Sequence, residues 1–128
     1  MPEQSNTYVA VIDDDECGRR AMARLLRAAG IQAITYASAE EFLRDEKRPA
    51  FDCLVLDIQL AELSGIDLQQ RLANGGGCPP TIFITANDDP GLRERAESLG
   101  CVAYLRKTAS GQELLQMIHS VLSKTGGP

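Results

Sequence analysis

Short apolar segments alternate strictly with helical patterns along this sequence, and this alternation constrains the fold more than any other feature. Five segments have the length and the content of Val, Ile, Leu and Phe that suit strands covered on both faces. These segments are Tyr8–Ile12, Gln32–Tyr36, Cys53–Leu56, Thr81–Thr85 and Val102–Leu105. Alternation with short connections predicts an α/β fold, in which a parallel sheet carries helices on both faces.

Capping residues mark five helices between and after these strands. Apolar residues recur at helical spacing in Glu16–Ala29, which Gly30 terminates. The capping box that starts at Ser38 opens a short second helix. The other three predicted helices are Ile66–Leu72 after Gly65, a helix from Asp89-Pro90 to Gly100, and a last helix from the capping box at Ser110 to about Leu122.

Length and composition favour one soluble domain. The 128 residues, 44% of them apolar, suit a single core, with the domain at 7–123, an N-terminal tail at 1–6 and a C-terminal tail or linker start at 124–128. A net charge of −5 predicts that the surface repels nucleic acid. No apolar run is long enough to cross a membrane and no signal peptide is present, so we expect a cytoplasmic protein.

The cysteines and the single histidine do not have the spacing of a zinc site. Cys17, Cys53, Cys78 and Cys101 form no C-x-x-C pair, and His119 lies far along the last helix. We expect Cys53 and Cys101, in apolar segments, to be buried and inert. Without a histidine near the strand ends, no catalytic triad is available.

Charged and hydroxyl side chains follow the predicted strands at their carboxyl ends, where ligand sites of such sheets lie. The first strand ends in Asp13-Asp14, the third in Asp57 and the fourth in Thr85, and the fifth leads to Lys107. A strand order of 2-1-3-4-5 brings these groups to one edge. Three carboxylates and one ammonium sum to −2, which one divalent cation would neutralise, and oxygen ligands of this kind suit Mg²⁺.

Two further acids, Asp15 and Glu16, directly follow Asp13-Asp14 and have a simpler explanation. Asp15 and Glu16 lie at the start of the first predicted helix, where negative charge interacts favourably with the helix dipole.

The pattern as a whole resembles the receiver domain of two-component response regulators over residues 7–123. The resemblance rests on Asp13-Asp14 after Val11-Ile12, Asp57 after Leu54-Val55-Leu56, Gly65, Thr85-Ala86 after Phe83-Ile84, and Tyr104-Leu105-Arg106-Lys107. It implies a doubly wound, flavodoxin-like domain of the chemotaxis-regulator type, with a five-stranded parallel sheet of order 2-1-3-4-5 and five helices.

The resemblance also implies a role for each matching residue. Asp57 would accept a phosphoryl group from a sensor histidine kinase or phosphotransfer protein. Asp13, Asp14, Asp57 and the backbone carbonyl of Gln59 would hold Mg²⁺. Thr85 and Lys107 would contact the phosphoryl group, and Thr85 and Tyr104 would act as a switch. Such a domain is a signalling receiver and not an enzyme with a turnover substrate, and phosphorylation would change the surface of the last two helices and fifth strand and would favour a homodimer.

Two positions depart from the family pattern. Ala61 replaces the usual proline four residues after the phosphoacceptor, and Thr108 replaces the proline that usually follows the lysine. Because a cis bond without proline costs about 2.5–4 kcal/mol, we expect the Lys107–Thr108 bond to be trans.

Two other functions compete with the phosphoacceptor. A degenerate receiver would keep the fold but act as a phosphorylation-independent interaction module, and the two departures leave this alternative open. A Mg²⁺-dependent phosphohydrolase of the Asp-x-Asp type is disfavoured, because the position of its second acid is Gln59.

Overall fold

The structure, a computed structural model, describes residues 7–57, 65–75, 79–85, 94, 103–106 and 111–126. Five parallel strands form one sheet in the order β2-β1-β3-β4-β5. The strands are β1 (Tyr8–Ile12), β2 (Gln32–Tyr36), β3 (Cys53–Asp57), β4 (Thr81–Thr85) and β5 (Ala103–Arg106). The predicted strand order and the parallel sheet are confirmed, and β3 is one residue longer than predicted because Asp57 continues the ladder beside Ile84.

Four helices lie in the described part of the chain. They are α1 (Glu16–Ala28), α2 (Ala39–Arg44), α3 (Gly65–Asn74) and α4 (Gly111–Gly126). The helix predicted between Asp89 and Gly100 lies outside the described residues except for Glu94, which is helical.

The last helix, α4, extends to Gly126, beyond the end predicted near Leu122. Apolar periodicity marks the buried part of a helix, and residues 123–126 lengthen α4 without adding apolar residues to that pattern.

Side-chain caps begin the first two helices. The side chain of Asp15 caps α1, and that of Ser38 caps α2. In the capping box of α2, the Glu41 N–H donates to Ser38 Oγ at 3.0 Å, and Glu41 Oε1 accepts from the Ala37 N–H at 2.7 Å. The predicted helix start at Ser38 is therefore confirmed.

The core consists of two apolar layers, one on each face of the sheet. One layer includes Leu26 of α1 and Ile118 of α4, and the other includes Phe42 of α2 and Leu68 of α3. All residues of β3 and β4 are buried, as expected for central strands covered on both faces. The helices therefore occupy both faces of the sheet, and its carboxyl edge remains for a site.

Candidate functional site

Three carboxylates meet at the carboxyl ends of β1 and β3, which are neighbouring strands in the interior of the sheet. Ile12 of β1 lies in register with Leu56 of β3, so Asp13 and Asp57 follow side by side. One carboxylate oxygen from each of Asp13, Asp14 and Asp57 lies within 4.8 Å of the others. We call this group the acidic cluster. It brings together the three carboxylates that the sequence predicted would converge.

Burial makes the acidic cluster electrostatically costly. Asp13 is fully buried and Asp57 is 4% exposed, whereas Asp14 is exposed. Charged carboxylates so close together repel, and burial reduces the screening by water. A bound cation would remove this cost.

The donor set fits a small divalent cation. All three groups offer carboxylate oxygens, which Mg²⁺ and Ca²⁺ prefer as ligands. Metal–oxygen distances of about 2.0–2.6 Å place opposite ligands about 4–5 Å apart, which agrees with the spread of the cluster. The exposed carboxylate of Asp14 leaves one side of the site open to water, and Mg²⁺ usually keeps several water ligands.

Backbone and side-chain hydrogen bonds fix the position of Asp13. Its Oδ1 accepts from the Asp15 N–H at 2.9 Å, and its own N–H donates to the Tyr36 carbonyl at 3.2 Å. Arg19, one turn into α1, donates from Nη1 to the Asp13 carbonyl at 2.8 Å. The backbone around Asp13 and Asp14 is therefore fixed by hydrogen bonds to α1 and to the end of β2.

The neighbouring acids serve the helix, as the sequence predicted. Asp15 Oδ2 accepts from the Gly18 N–H at 3.2 Å and so caps α1. Glu16 lies in the first turn and pairs with Arg20 at 2.8 Å, with both side chains largely exposed. The run of four acids thus divides into two that join the acidic cluster and two that begin α1.

Thr85 and Tyr104 lie on the strands next to the cluster. Thr85 ends β4 and is fully buried; the preceding residue, Ile84, is in register with Asp57. Tyr104 on β5 is half-buried and packs against the apolar layer that includes Phe42. Thr85 is therefore at the same edge as the acidic cluster. Tyr104 lies further from the carboxyl end of β5, in register with Phe83.

Several sequence predictions fall outside the described residues. These are the predictions for Gln59, Ala61, Lys107 and Thr108, including the geometry of the Lys107–Thr108 bond, and those for Cys78 and Cys101. Cys53 is buried as expected, and desolvation by the surrounding core, helped by the charge of Asp52, raises its pKa to about 12.

Two residues that shape the site were not among those predicted from the sequence. Arg19 was missed because its partner at the site is a backbone carbonyl, which no sequence pattern reveals. Gly18 permits a close approach: a Cβ there would lie 3.0 Å from Asp15 Oδ2 and 3.5 Å from Asp13 Oδ2. A glycine inside a helix is unfavourable and signals such an approach.

An open groove of about 480 Å³ borders the acidic cluster between α1, β5 and α4. Asp13 and Gly18 line it near the cluster, and Leu25 and Leu114 add apolar surface. Arg106, the last residue of β5, brings a positive charge to the same groove. The acidic cluster can thus be approached along a surface that combines acidic, apolar and basic side chains.

The fold and the acidic cluster together define a receiver-type α/β domain, and comparison with known proteins agrees. The family model of the response regulator receiver domain matches residues 9–119. The chain therefore belongs to the response regulator receiver family. No described helix is long and apolar enough to cross a membrane.

Individual relatives are similar to this chain over most of its length. It is 34% identical over 116 residues to the response regulator protein TodT of Pseudomonas putida, covering 91% of this chain and 51% of TodT. It is 38% identical over 114 residues to nodulation protein W of Bradyrhizobium diazoefficiens, covering 89% of this chain and 50% of that protein. The chain thus spans about half the length of these curated relatives.

A solved structure is similar in both sequence and fold. The crystal structure of a response regulator receiver protein from Burkholderia phymatum is 44% identical to this chain, with a TM-score of 0.80. The alignment covers 92% of this chain and 96% of that one.

Proposed function

We propose that the protein is a phosphoacceptor of a two-component phosphorelay, in which Asp57 accepts a phosphoryl group from a phosphohistidine. The donor is a sensor histidine kinase or a phosphotransfer protein. The observation that carries this proposal is the acidic cluster, with its buried Asp57 at the carboxyl edge of a receiver fold. The degenerate-receiver alternative predicts no transfer to Asp57.

The proposed reaction replaces a P–N bond with a P–O bond. A carboxylate oxygen of Asp57 attacks the phosphorus, the P–N bond to the histidine breaks, and an acyl phosphate forms on Asp57. The bond electrons return to the imidazole nitrogen, so no oxidant or reductant is required. Phosphoryl transfer depends mainly on positioning and on neutralisation of charge.

The site residues would supply these two functions. Asp13, Asp14 and Asp57, with the backbone carbonyl of Gln59, would hold Mg²⁺, which when bound neutralises negative charge on the phosphoryl oxygens. Thr85 would donate a hydrogen bond from its hydroxyl to one phosphoryl oxygen, and Lys107 would pair with another.

The new acyl phosphate would then bias a surface of the domain. We propose that Thr85 moves toward the phosphoryl group and that Tyr104 changes rotamer as a consequence. The surface that changes comprises β5, α4 and the helix predicted between Asp89 and Gly100, and it would favour a homodimer. Such a change follows the general pattern in which a phosphoryl group selects between two packings.

Phosphoryl labelling tests the proposal directly. The protein is incubated with Mg²⁺ and acetyl phosphate, and its intact mass is measured. We expect the added mass of one phosphoryl group on the wild-type chain and none on Asp57→Asn. No added phosphoryl mass on the wild-type chain would support the degenerate receiver, and equal labelling of the two proteins would also contradict transfer to Asp57.

A calorimetric titration tests the metal site separately. We expect Asp14→Ala to weaken Mg²⁺ binding by about tenfold or more, because one of three carboxylate ligands is lost. Glu46→Gln removes an exposed carboxylate elsewhere and serves as the control. Unchanged affinity in Asp14→Ala would show that the ion binds elsewhere.

A further inference from the structure

We propose that one face of α1 binds an acidic polypeptide segment of a partner protein. The face consists of Arg20, Arg24 and Arg27, and we call it the arginine face. With Ala23 and Thr35, these arginines line a pocket of about 450 Å³ between α1 and the edge strand β2. This interaction is distinct from phosphoryl transfer at Asp57.

Helix geometry aligns the three arginines in a row. Arg20, Arg24 and Arg27 are spaced i, i+4 and i+7, which places them on one side of α1. At a rise of 1.5 Å per residue, the row extends about 10 Å along the helix. Such a row matches a series of carboxylates along a polypeptide better than it matches one small anion.

Contacts within the described part of the chain neutralise little of this positive charge. The partner of Arg20 is Glu16, in an ion pair that is 73% and 60% exposed and is therefore weak. Arg27 donates one Nη2 hydrogen bond to the Ala33 carbonyl at 2.8 Å, which orients its guanidinium but leaves its charge. Arg24 makes no ion pair or hydrogen bond through its side chain with any residue in the described part of the chain.

The arrangement is unfavourable for the isolated chain. Like charges at i, i+3 and i, i+4 repel and destabilise a helix. The dipole of α1 favours Arg27, which lies in the last turn, but this effect falls off before Arg20 and Arg24. An acidic partner would convert the repulsion into attraction.

The chemistry of the pocket also fits carboxylates. A guanidinium group binds a carboxylate through two parallel hydrogen bonds. The half-buried Thr35 contributes a hydroxyl whose hydrogen bonds are not used within the described part of the chain. Nucleic acid is a poorer match, because the net charge of −5 repels every anion in proportion to its charge, and a duplex carries more negative charge per unit length than a short acidic segment.

The face is also separate from the proposed transfer site. Asp15 caps α1 beside the acidic cluster, and the row runs from Arg20 toward the C-terminal end of the helix. The groove next to the acidic cluster is lined by other residues of α1, including Gly18 and Leu25. A partner could therefore occupy the arginine face without covering that groove.

Fluorescence anisotropy with a defined peptide tests the proposal. The probe is a labelled peptide with glutamates at i, i+4 and i+7, and a peptide with glutamines at those positions is its control. We expect the full 128-residue chain to bind the glutamate peptide at low ionic strength, and salt to weaken binding. The double variant Arg20→Glu/Arg24→Glu should bind about tenfold more weakly or worse.

A second double variant separates a local effect from overall charge. Arg44→Glu/Arg71→Glu changes the net charge equally at exposed arginines on α2 and α3, and we expect it to bind like the wild type. Equal weakening in both double variants, or no binding by the wild type, would overturn the proposal. Tighter binding of a short DNA duplex would assign the face to nucleic acid instead, and would overturn it as well.

Three measurements exclude misfolding and failure of the proposed function as explanations. Arg20→Gln/Arg24→Gln avoids new repulsion with Glu16, and we expect it to weaken peptide binding while thermal unfolding stays close to that of the wild type. Peptide binding should also persist in Asp57→Asn, and phosphoryl labelling should persist in Arg20→Gln/Arg24→Gln. Loss of peptide binding in Asp57→Asn would contradict an independent surface.

Discussion

Arg19 links α1 to the acidic cluster through a direct hydrogen bond. Its guanidinium donates to the Asp13 carbonyl at 2.8 Å and is itself half-buried. This contact orients the backbone between two carboxylates of the cluster, so Arg19 would position the proposed metal ligands without contacting the ion itself. Its positive charge alone would have the opposite effect, because it would repel a cation.

We therefore expect Arg19→Met to weaken Mg²⁺ binding by about five- to tenfold, since a hydrogen bond of about 1 kcal/mol orients Asp13. Isothermal titration calorimetry measures the affinity. Arg20→Met is the matched control: it removes the same charge from an exposed neighbour and should leave the affinity equal or slightly higher. Equal weakening in both variants would contradict a positioning role for Arg19.

The acids of the site could be predicted well from the sequence, but the residue that orients them, Arg19, could not. Asp13, Asp14 and Asp57 could be predicted because carboxylates at strand ends are visible in the sequence and the strand order brings them together. Arg19 could not, because its site partner is a backbone carbonyl. The burial that makes Asp13 and Asp57 costly is also a tertiary property that local patterns do not specify.

The N-cap of α1 lies directly beside the acidic cluster but stabilises the helix. Asp15 accepts from the Gly18 N–H and belongs to the helix, although it directly follows two residues of the acidic cluster. We expect Asp15→Ala to lower the free energy of unfolding by about 1 kcal/mol, the usual value of an N-cap. Urea denaturation measures this change, and Asp15→Asn, which can still cap, should recover most of it.

The same variants should leave the metal site intact. The Asp15 N–H that donates to Asp13 Oδ1 is a backbone group and remains in Asp15→Ala. Mg²⁺ affinity should therefore change less than threefold. A tenfold loss would show that the Asp15 carboxylate takes part in the metal site.

Strand β3 carries a buried thiol that should make stability sensitive to alkali. Desolvation raises the pKa of Cys53 from 9.0 to about 12, so the folded chain retains a proton that the unfolded chain loses above pH 9.0. The contribution of Cys53 is therefore fully present below pH 9.0 and is lost toward pH 12, by about 1.4 kcal/mol per pH unit. Burial and the hydrogen bond to Asp45 raise the pKa of Tyr36 as well, which adds to the alkaline loss.

A comparison of variants isolates the thiol. Cys53→Ala should be less stable near neutral pH, because it leaves a cavity in the core, but its stability should fall less steeply above pH 9.0. Denaturant unfolding at several pH values measures the slopes, and Cys17→Ala, which removes an exposed thiol, is the control. A slope for Cys53→Ala equal to that of the wild type would contradict the assignment.

Element boundaries were predictable where a buried face or a cap marks them. The bounds of β1, β2 and β4 match the sequence prediction because their apolar segments end at polar residues or turns. The predicted end of α4, near Leu122, was wrong, because the residues that extend the helix are not apolar and leave no apolar pattern in the sequence. Sequence patterns thus report what is buried more accurately than what is helical.

The order of the strands makes formation of the acidic cluster depend on folding of the entire domain. Asp13 follows β1 and Asp57 ends β3, two neighbouring strands that are distant in sequence and central in the sheet. Folding forces these two carboxylates together near Asp14, and unfolding separates them. The metal-free fold therefore carries an electrostatic cost that is absent in the unfolded chain.

A cation bound at the acidic cluster should therefore stabilise the entire domain. Because the proposed ligands come together only in the folded chain, Mg²⁺ at about one hundred times its dissociation constant should add about 2.7 kcal/mol to the free energy of unfolding. Urea denaturation with and without Mg²⁺, at constant ionic strength, measures this gain. Asp57→Asn should be more stable than the wild type without Mg²⁺, because repulsion is reduced, and should gain less when Mg²⁺ is added. Glu46→Gln, which removes an exposed acid on the loop after α2, should retain the full gain. An equal gain in Asp57→Asn and the wild type would mean that the ion stabilises the fold from another site.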